Sequence, residues 1–192
     1  MASCSSPLTG ALLVLALLAV VQGAPSTAAA ATTPADTVAD SCDAIRDFVD
    51  YAFCASALRS GGGPNASRAD RHAHLLVAAD LAAARGASAR DAAQAMARSE
   101  RDPAALDGLE ACGMLYGATS VPALRFMRGY AAARAWDRAR ALLSLTGQAG
   151  IGCEAALEGA PEAKGRMAAA NREFDQLSTM ATALLNKVDQ TG

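Results

Sequence analysis

Residues Arg68 to Gly86 read RADRHAHLLVAADLAAARG, and this stretch decides the fold class. Ala69, Ala73, Leu76, Val77, Leu81 and Ala84 recur at the three-and-four spacing of one helical face, and Gly86 supplies a stop signal. The rest of the 192-residue chain continues the pattern, with 50 alanines, about a quarter of the total. Only five Val and two Ile follow residue 24, and aromatics make up 4%. Sheets draw on β-branched and aromatic side chains, whereas alanine is the strongest helix former, so the composition predicts an all-α protein. It excludes Rossmann and barrel enzymes. With 17 Lys+Arg against 19 Asp+Glu and a net charge of −2, the chain lacks the polyelectrolyte footprint of a nucleic-acid binder.

Downstream, Ser88 and Asp91 resemble a capping box that opens a second helix. Asp102-Pro103 interrupts it as cap and first residue of a restarted segment, predicting a kink before Ala105, Leu109, Cys112 and Tyr116. A third helix is expected from Ser120 and Pro122 to about Leu145, with Leu124, Met127, Ala131, Ala135, Leu142 and Leu145 in a near-heptad stripe. The short link around Thr119 to Val121 makes the second and third helices antiparallel neighbours. A fourth, starting between Arg166 and Asn171, puts Leu177, Met180, Ala181, Leu184 and Val188 on one face. The expected architecture is an up-down-up-down four-helix bundle over 67–188.

Upstream, Gly61-Gly62-Gly63-Pro64 is a break, and Asn65-Ala66-Ser67 is an N-glycosylation sequon in an expected exposed loop. Before it, 40–60 holds Cys42 and Cys54. On one straight helix these would stand ~18 Å apart, so a bond between them would require a fold-back helical hairpin. Ile45, Phe48, Val49, Tyr51 and Phe53 give that segment unusual apolar bulk. Residues 24–39 are Ala/Thr/Pro-rich without a period and read as a disordered leader. Leu12 to Val21 is an apolar run too short to span a bilayer. It matches a signal-peptide core, making 1–23 a signal peptide cleaved after Gly23 or Ala24, and the mature chain soluble and secreted, with no membrane segment.

Cleavage would remove Cys4 and leave Cys42, Cys54, Cys112 and Cys153, an even set that reads as two disulfides in an oxidising compartment. Three pairings are open on arithmetic alone. The cysteine spacings are wide for zinc, and His72 and His74, two apart on a helix, read as ordinary surface or boundary histidines. No nucleophile elbow, zinc-helix motif or phosphate loop occurs, and no carboxylate pair stands out. A binding protein without a cofactor is therefore expected in place of an enzyme.

The ordered marks are Cys42 to Cys54-Ala55-Ser56-Ala57-Leu58, Ala105-Leu106 leading to Cys112 and Tyr116, and Cys153-Glu154. The last runs from Asn171-Arg172-Glu173-Phe174-Asp175-Gln176-Leu177-Ser178 through Ala181 to Leu184-Leu185. From Cys42 to about Val188 the chain thereby resembles the plant invertase and pectin methylesterase inhibitor family. The resemblance implies the pairing Cys42 to Cys54 and Cys112 to Cys153, an apoplastic, cell-wall or vacuolar location, and non-covalent blocking of a cell-wall carbohydrate enzyme's cleft. Invertase-directed members commonly carry Pro-Lys-Phe between the last two bundle helices; this chain has Pro161-Glu162-Ala163-Lys164 and no Phe. Thr146-Gly147-Gln148-Ala149-Gly150 is also richer in glycine than the family's usual approach to Cys153. Pectin methylesterase is the expected target, with acid invertase as the alternative. A non-inhibitory pollen-type or structural member and a small-ligand carrier are the rivals.

Opposite its stripe, the third helix collects Arg125, Phe126, Trp136, Arg140 and Leu143, the residue types of an interface. Either this face meets the partner or the aromatic-rich hairpin covers it. For invertase the contact would instead be Pro161 and Lys164.

Overall fold

The computed structural model describes residues 36–188; the expected signal peptide and residues 24–35 of the expected leader lie outside the described residues. Helix α1 (Thr37–Asp43) is capped by Asp36, whose carboxylate accepts the Val38 N–H at 3.1 Å. It takes in Thr37 to Ala39, which composition alone assigns to the leader. Helix α2 (Tyr51–Gly62) is capped by Asp50, accepting from Phe53 N–H at 2.9 Å. The chain folds back between them, and a disulfide joins Cys42 to Cys54 at a Cα separation of 5.8 Å. Ile45 and Val49 face inward, but Phe48 is 63% exposed and Tyr51 is also exposed, so the hairpin's bulk is only partly used in docking.

A 3-10 turn (Gly63–Arg68) leads into α3 (Arg71–Ala97), capped by Asp70, which accepts the Ala73 N–H at 2.7 Å. Two expectations fail in this helix. Gly86 does not end it: α3 is continuous for 27 residues, and Ser88 donates back to the Ala84 carbonyl instead of capping a new helix. The core face is not the expected one of Leu76, Val77 and Leu81. His74, Leu75, Ala78, Ala79, Ala82, Ala83, Gly86, Ala89 and Ala93 are buried, while Leu76, Val77 and Leu81 are half-buried and Ala84 is exposed. The alanines admit neighbouring helices closely. The larger side chains serve the hairpin, with Val77 and Leu81 lying against Gly61.

His74 is not a surface histidine either, because it is fully buried under the hairpin. Its Nε2–H donates to the Ala66 carbonyl at 2.8 Å, since a carbonyl can only accept, and Nδ1 therefore accepts from the Ser41 hydroxyl at 2.8 Å. One imidazole thus ties α1, the 3-10 turn and α3 together.

The chain reverses over 98–102, a full break where a kink was expected. Helix α4 (Pro103–Met114) starts with Asp102 accepting the Ala105 N–H at 2.8 Å. No link follows it. A π turn (Leu115–Ser120) carries the helix directly into α5 (Val121–Ala132), so the expected second and third helices are one limb and not antiparallel neighbours. Pro122 explains the wide turn: it has no N–H, and its ring would strike the carbonyl of the preceding regular turn. The Val121 N–H reaches instead to Tyr116 O, five residues back.

The returning limb is segmented into α6 (Trp136–Arg140), α7 (Leu143–Thr146) and α8 (Gln148–Ala156), and α9 (Pro161–Val188) closes the bundle. The Cys112–Cys153 disulfide, with Cα atoms 4.5 Å apart, staples α4 to α8. Arg166 pairs with Glu100 at 3.0 Å and Arg85 pairs with Glu173, fixing α9 antiparallel to α3. At the centre, Tyr116 meets Phe174 edge to face at 5.0 Å and donates to Asn171 Oδ1 at 2.8 Å. Among the described residues no helix is long and apolar enough to cross a membrane, and no group of three His, Cys, Asp or Glu could hold a metal ion.

Candidate functional site

Helix α5 delivers the interface candidates to one end of the bundle. Its core side is Ala123, Leu124, Met127 and Ala131, which leaves Arg125 exposed and Phe126 62% exposed. The hairpin therefore does not cover Phe126. Arg128, on the side toward α3, pairs with Asp80 at 3.1 Å.

The expected single face from Arg125 to Leu143 is not formed, because the helix stops at Ala132. Arg134 takes the left-handed conformation at φ 55°, its N–H bonding Ala131 O at 2.9 Å while Ala135 N–H reaches Tyr130 O at 2.9 Å. This pair of bonds is a Schellman stop with arginine in the position where glycine is usual. His72 reinforces it, its Nε2–H donating to Ala131 O at 2.9 Å. Sequence reading misses the stop because its ordinary signal, a glycine, is absent.

Beyond the stop, Trp136 is half-buried and meets the His72 ring edge-on, centroids 5.6 Å apart. Arg138 lies 6.0 Å over the Tyr130 ring, and Arg140 stands 3.8 Å from Asp137. Leu143 is half-buried against the core and leaves the candidate surface. Arg134, Ala135, Trp136, Asp137, Arg138 and Arg140 line an open cleft of about 420 Å³. Tyr130, Arg134 and Arg138 escape the helical-face reading; the five arginines between residues 125 and 140 are the signal that could have found them.

Pro161 and Lys164 lie at the opposite end, one length of α9, ~40 Å, away. Pro161 is exposed and, with Glu100, Asp102, Glu162 and Arg166, borders a cleft of about 540 Å³. Lys164 Nζ donates to Glu158 at 2.7 Å. That bond holds the Glu158 carboxyl below its ordinary range and the Lys164 ammonium above its own. Asn65 is exposed within the 3-10 turn, on the approach to α3.

Residues 36–184 match the family model described as plant invertase/pectin methylesterase inhibitor. No curated protein matches the sequence significantly. The fold is similar to the crystal structure of mutant form A of a pectin methylesterase inhibitor from Arabidopsis, with a TM-score of 0.65 and 15% identity. That match covers 76% of this chain and 95% of the other.

Proposed function

Because this chain belongs to the plant invertase/pectin methylesterase inhibitor family, whose members are enzyme inhibitors and not enzymes, we propose that it is a secreted inhibitor of pectin methylesterase. It would act by non-covalent occlusion of the active-site cleft. Phe126 carries this reading: a large aromatic ring held in solvent beside Arg125, on a rigid helix, has the composition and preorganisation of an interface anchor. Trp136 and Arg140 lie beyond the stop, on α6. The two disulfides support passage through an oxidising compartment, and the exposed Asn65 sequon is compatible with glycosylation there.

Acid invertase is the alternative target, through Pro161 and Lys164. Two observations weigh against it. The Pro-Lys-Phe tripeptide is missing, and the Lys164 ammonium is engaged by Glu158 from the turn that precedes α9.

Titrating the purified protein against both enzymes at mildly acidic pH tests the assignment. Pectin methylesterase should lose activity and invertase keep it. Phe126→Ala should weaken inhibition ~30-fold, about 2 kcal/mol, while moving Tm by less than about 1 °C. Pro161→Ala with Lys164→Ala should leave pectin methylesterase inhibition intact. Inhibition of invertase alone would reverse the assignment, and inhibition of neither would make the chain a non-inhibitory member.

A further inference from the structure

Residues 125 to 140 carry five arginines and one aspartate, a net charge of +4 within a chain of net −2. Of these, Arg128 is paired with Asp80, and Arg140 stands near Asp137. Arg134 and Arg138 are exposed, and among the described residues neither has a carboxylate within ion-pair distance. Both line the 420 Å³ cleft, whose wall includes Trp136, and Arg138 stacks over the neighbouring Tyr130 ring.

We propose that this cleft, with Arg134 and Arg138 as cation donors and Trp136 as a flat apolar platform, binds a polyuronate chain. The chemistry needs both residue types. A guanidinium offers a planar fork that matches a carboxylate with two parallel N–H bonds. An aromatic face, negative at its centre, accepts the partly positive C–H face of a pyranose ring. Several arginines within one short stretch suit a ligand that repeats its carboxylate along a polymer, because linked weak contacts add through effective concentration. The volume lies within the range of small-ligand sites, and the open mouth lets a chain continue past either side. Asp137, fully exposed at the rim beside Arg140, is the one acidic group in the stretch.

The uronate chemistry stands on the cleft alone. The choice of galacturonate rests on the reading above: hydrolysis of pectin methyl esters leaves free carboxylates, so the product of the target enzyme would be the ligand. Such binding would hold the inhibitor where de-esterification has already begun.

Binding is measured without any enzyme, so its outcome is separate from inhibition. Calorimetric titration of the purified chain with fully de-esterified polygalacturonate is compared with the fully methyl-esterified polymer and with neutral dextran. The de-esterified polymer should bind at least ~10-fold more tightly than either, and raising NaCl from 20 to 300 mM should weaken it several-fold. Arg134→Gly separates structure from binding, because glycine relieves the left-handed backbone while removing the guanidinium. Its Tm should rise by about 2–4 °C while polygalacturonate affinity falls about 10-fold. Arg138→Ala should reduce affinity similarly. Equal binding to the methyl ester, unchanged affinity in Arg134→Gly, or equally tight binding of single-stranded DNA would overturn the proposal.

Discussion

Gly86 lies where α3 packs tightly against its neighbours: a Cβ there would sit 2.8 Å from Val121 Cγ2 and 3.0 Å from the Phe174 ring. Alanine would gain ~1 kcal/mol of helix propensity but must displace a packed aromatic, at a cost of ~1–3 kcal/mol. Gly86→Ala should therefore lower Tm. Gly165→Ala, on the exposed face of α9 with nothing within 4 Å, should raise stability by ~0.5–1 kcal/mol. Thermal melts of the two variants check the opposite signs, and a stabilised Gly86→Ala would mean that the helices do not approach as described. In sequence, Gly86 reads as a stop because glycine's local signal is the same whether it ends a helix or lets another helix come close. The same ambiguity displaced the core face. Leu76, Val77 and Leu81 outrank alanine on any hydrophobicity scale, yet the contact between helices needed the smaller side chains. The burial of His74 is hidden in the sequence for a related reason: its partners, Ser41 and Ala66, come from elements that periodicity does not place.

At the scale of elements, the hairpin is held together by the Cys42–Cys54 bond and the Arg59–Asp36 pair at 2.7 Å, and tied to α3 by the His74 network. Loop closure gives a bond spanning 12 residues ~3 kcal/mol and one spanning 41 residues ~4 kcal/mol. Replacing both Cys42 and Cys54 by Ser should lower stability by up to ~3 kcal/mol. It should also release hydrogen-exchange protection first in α1 and α2, with α9 retaining most of its own. Equal loss throughout would show that hairpin and bundle form one cooperative unit. The hairpin was legible once the family resemblance paired Cys42 with Cys54, because reach then forbids a straight helix between them. The course of the third limb was not. Ser120, fully buried, donates to Leu145 O at 2.8 Å and accepts the Ala149 N–H at 3.1 Å, so one hydroxyl in the π turn steadies two segments of the returning limb. A hydroxyl beside a proline looks in sequence like a helix start, and only the tertiary partners show it to be a junction inside a continuous limb.

For the whole molecule, the composition was enough to establish helices, and the ordered cysteines to suggest the family, but the charge distribution emerges only on folding. Asp175 on α9 packs its carboxylate against Gly150 on α8, in a gap that exists because glycine has no Cβ. Burial first, and then the Glu154 carboxylate, raise the Asp175 pKa to about 6. The two acids are far apart in sequence, on different helices, so no spacing argument could pair them. Burial, with the charges of Asp175 and Glu154 added, also raises the Tyr116 phenol, which keeps that central hydroxyl a donor to Asn171. Because the folded-state pKa of Asp175 exceeds its ordinary value of 3.8, the folded chain binds more protons than the unfolded one between about pH 4 and 6. This group's contribution is therefore most favourable below about pH 4 and is lost as pH rises through 6. The full shift would correspond to roughly 3 kcal/mol, and solvent reaching a half-buried carboxyl reduces that to about 1–2 kcal/mol. Asp175→Asn, which keeps the shape and removes the titration, should melt a few degrees above the parent at pH 7.5 and close to it at pH 4.5. Melting curves of both proteins across that range check the sign. A parent that gains stability steadily toward pH 7.5, with Asp175→Asn following in parallel, would show that the carboxyl is solvated and that the α8–α9 contact is looser than the Gly150 packing implies.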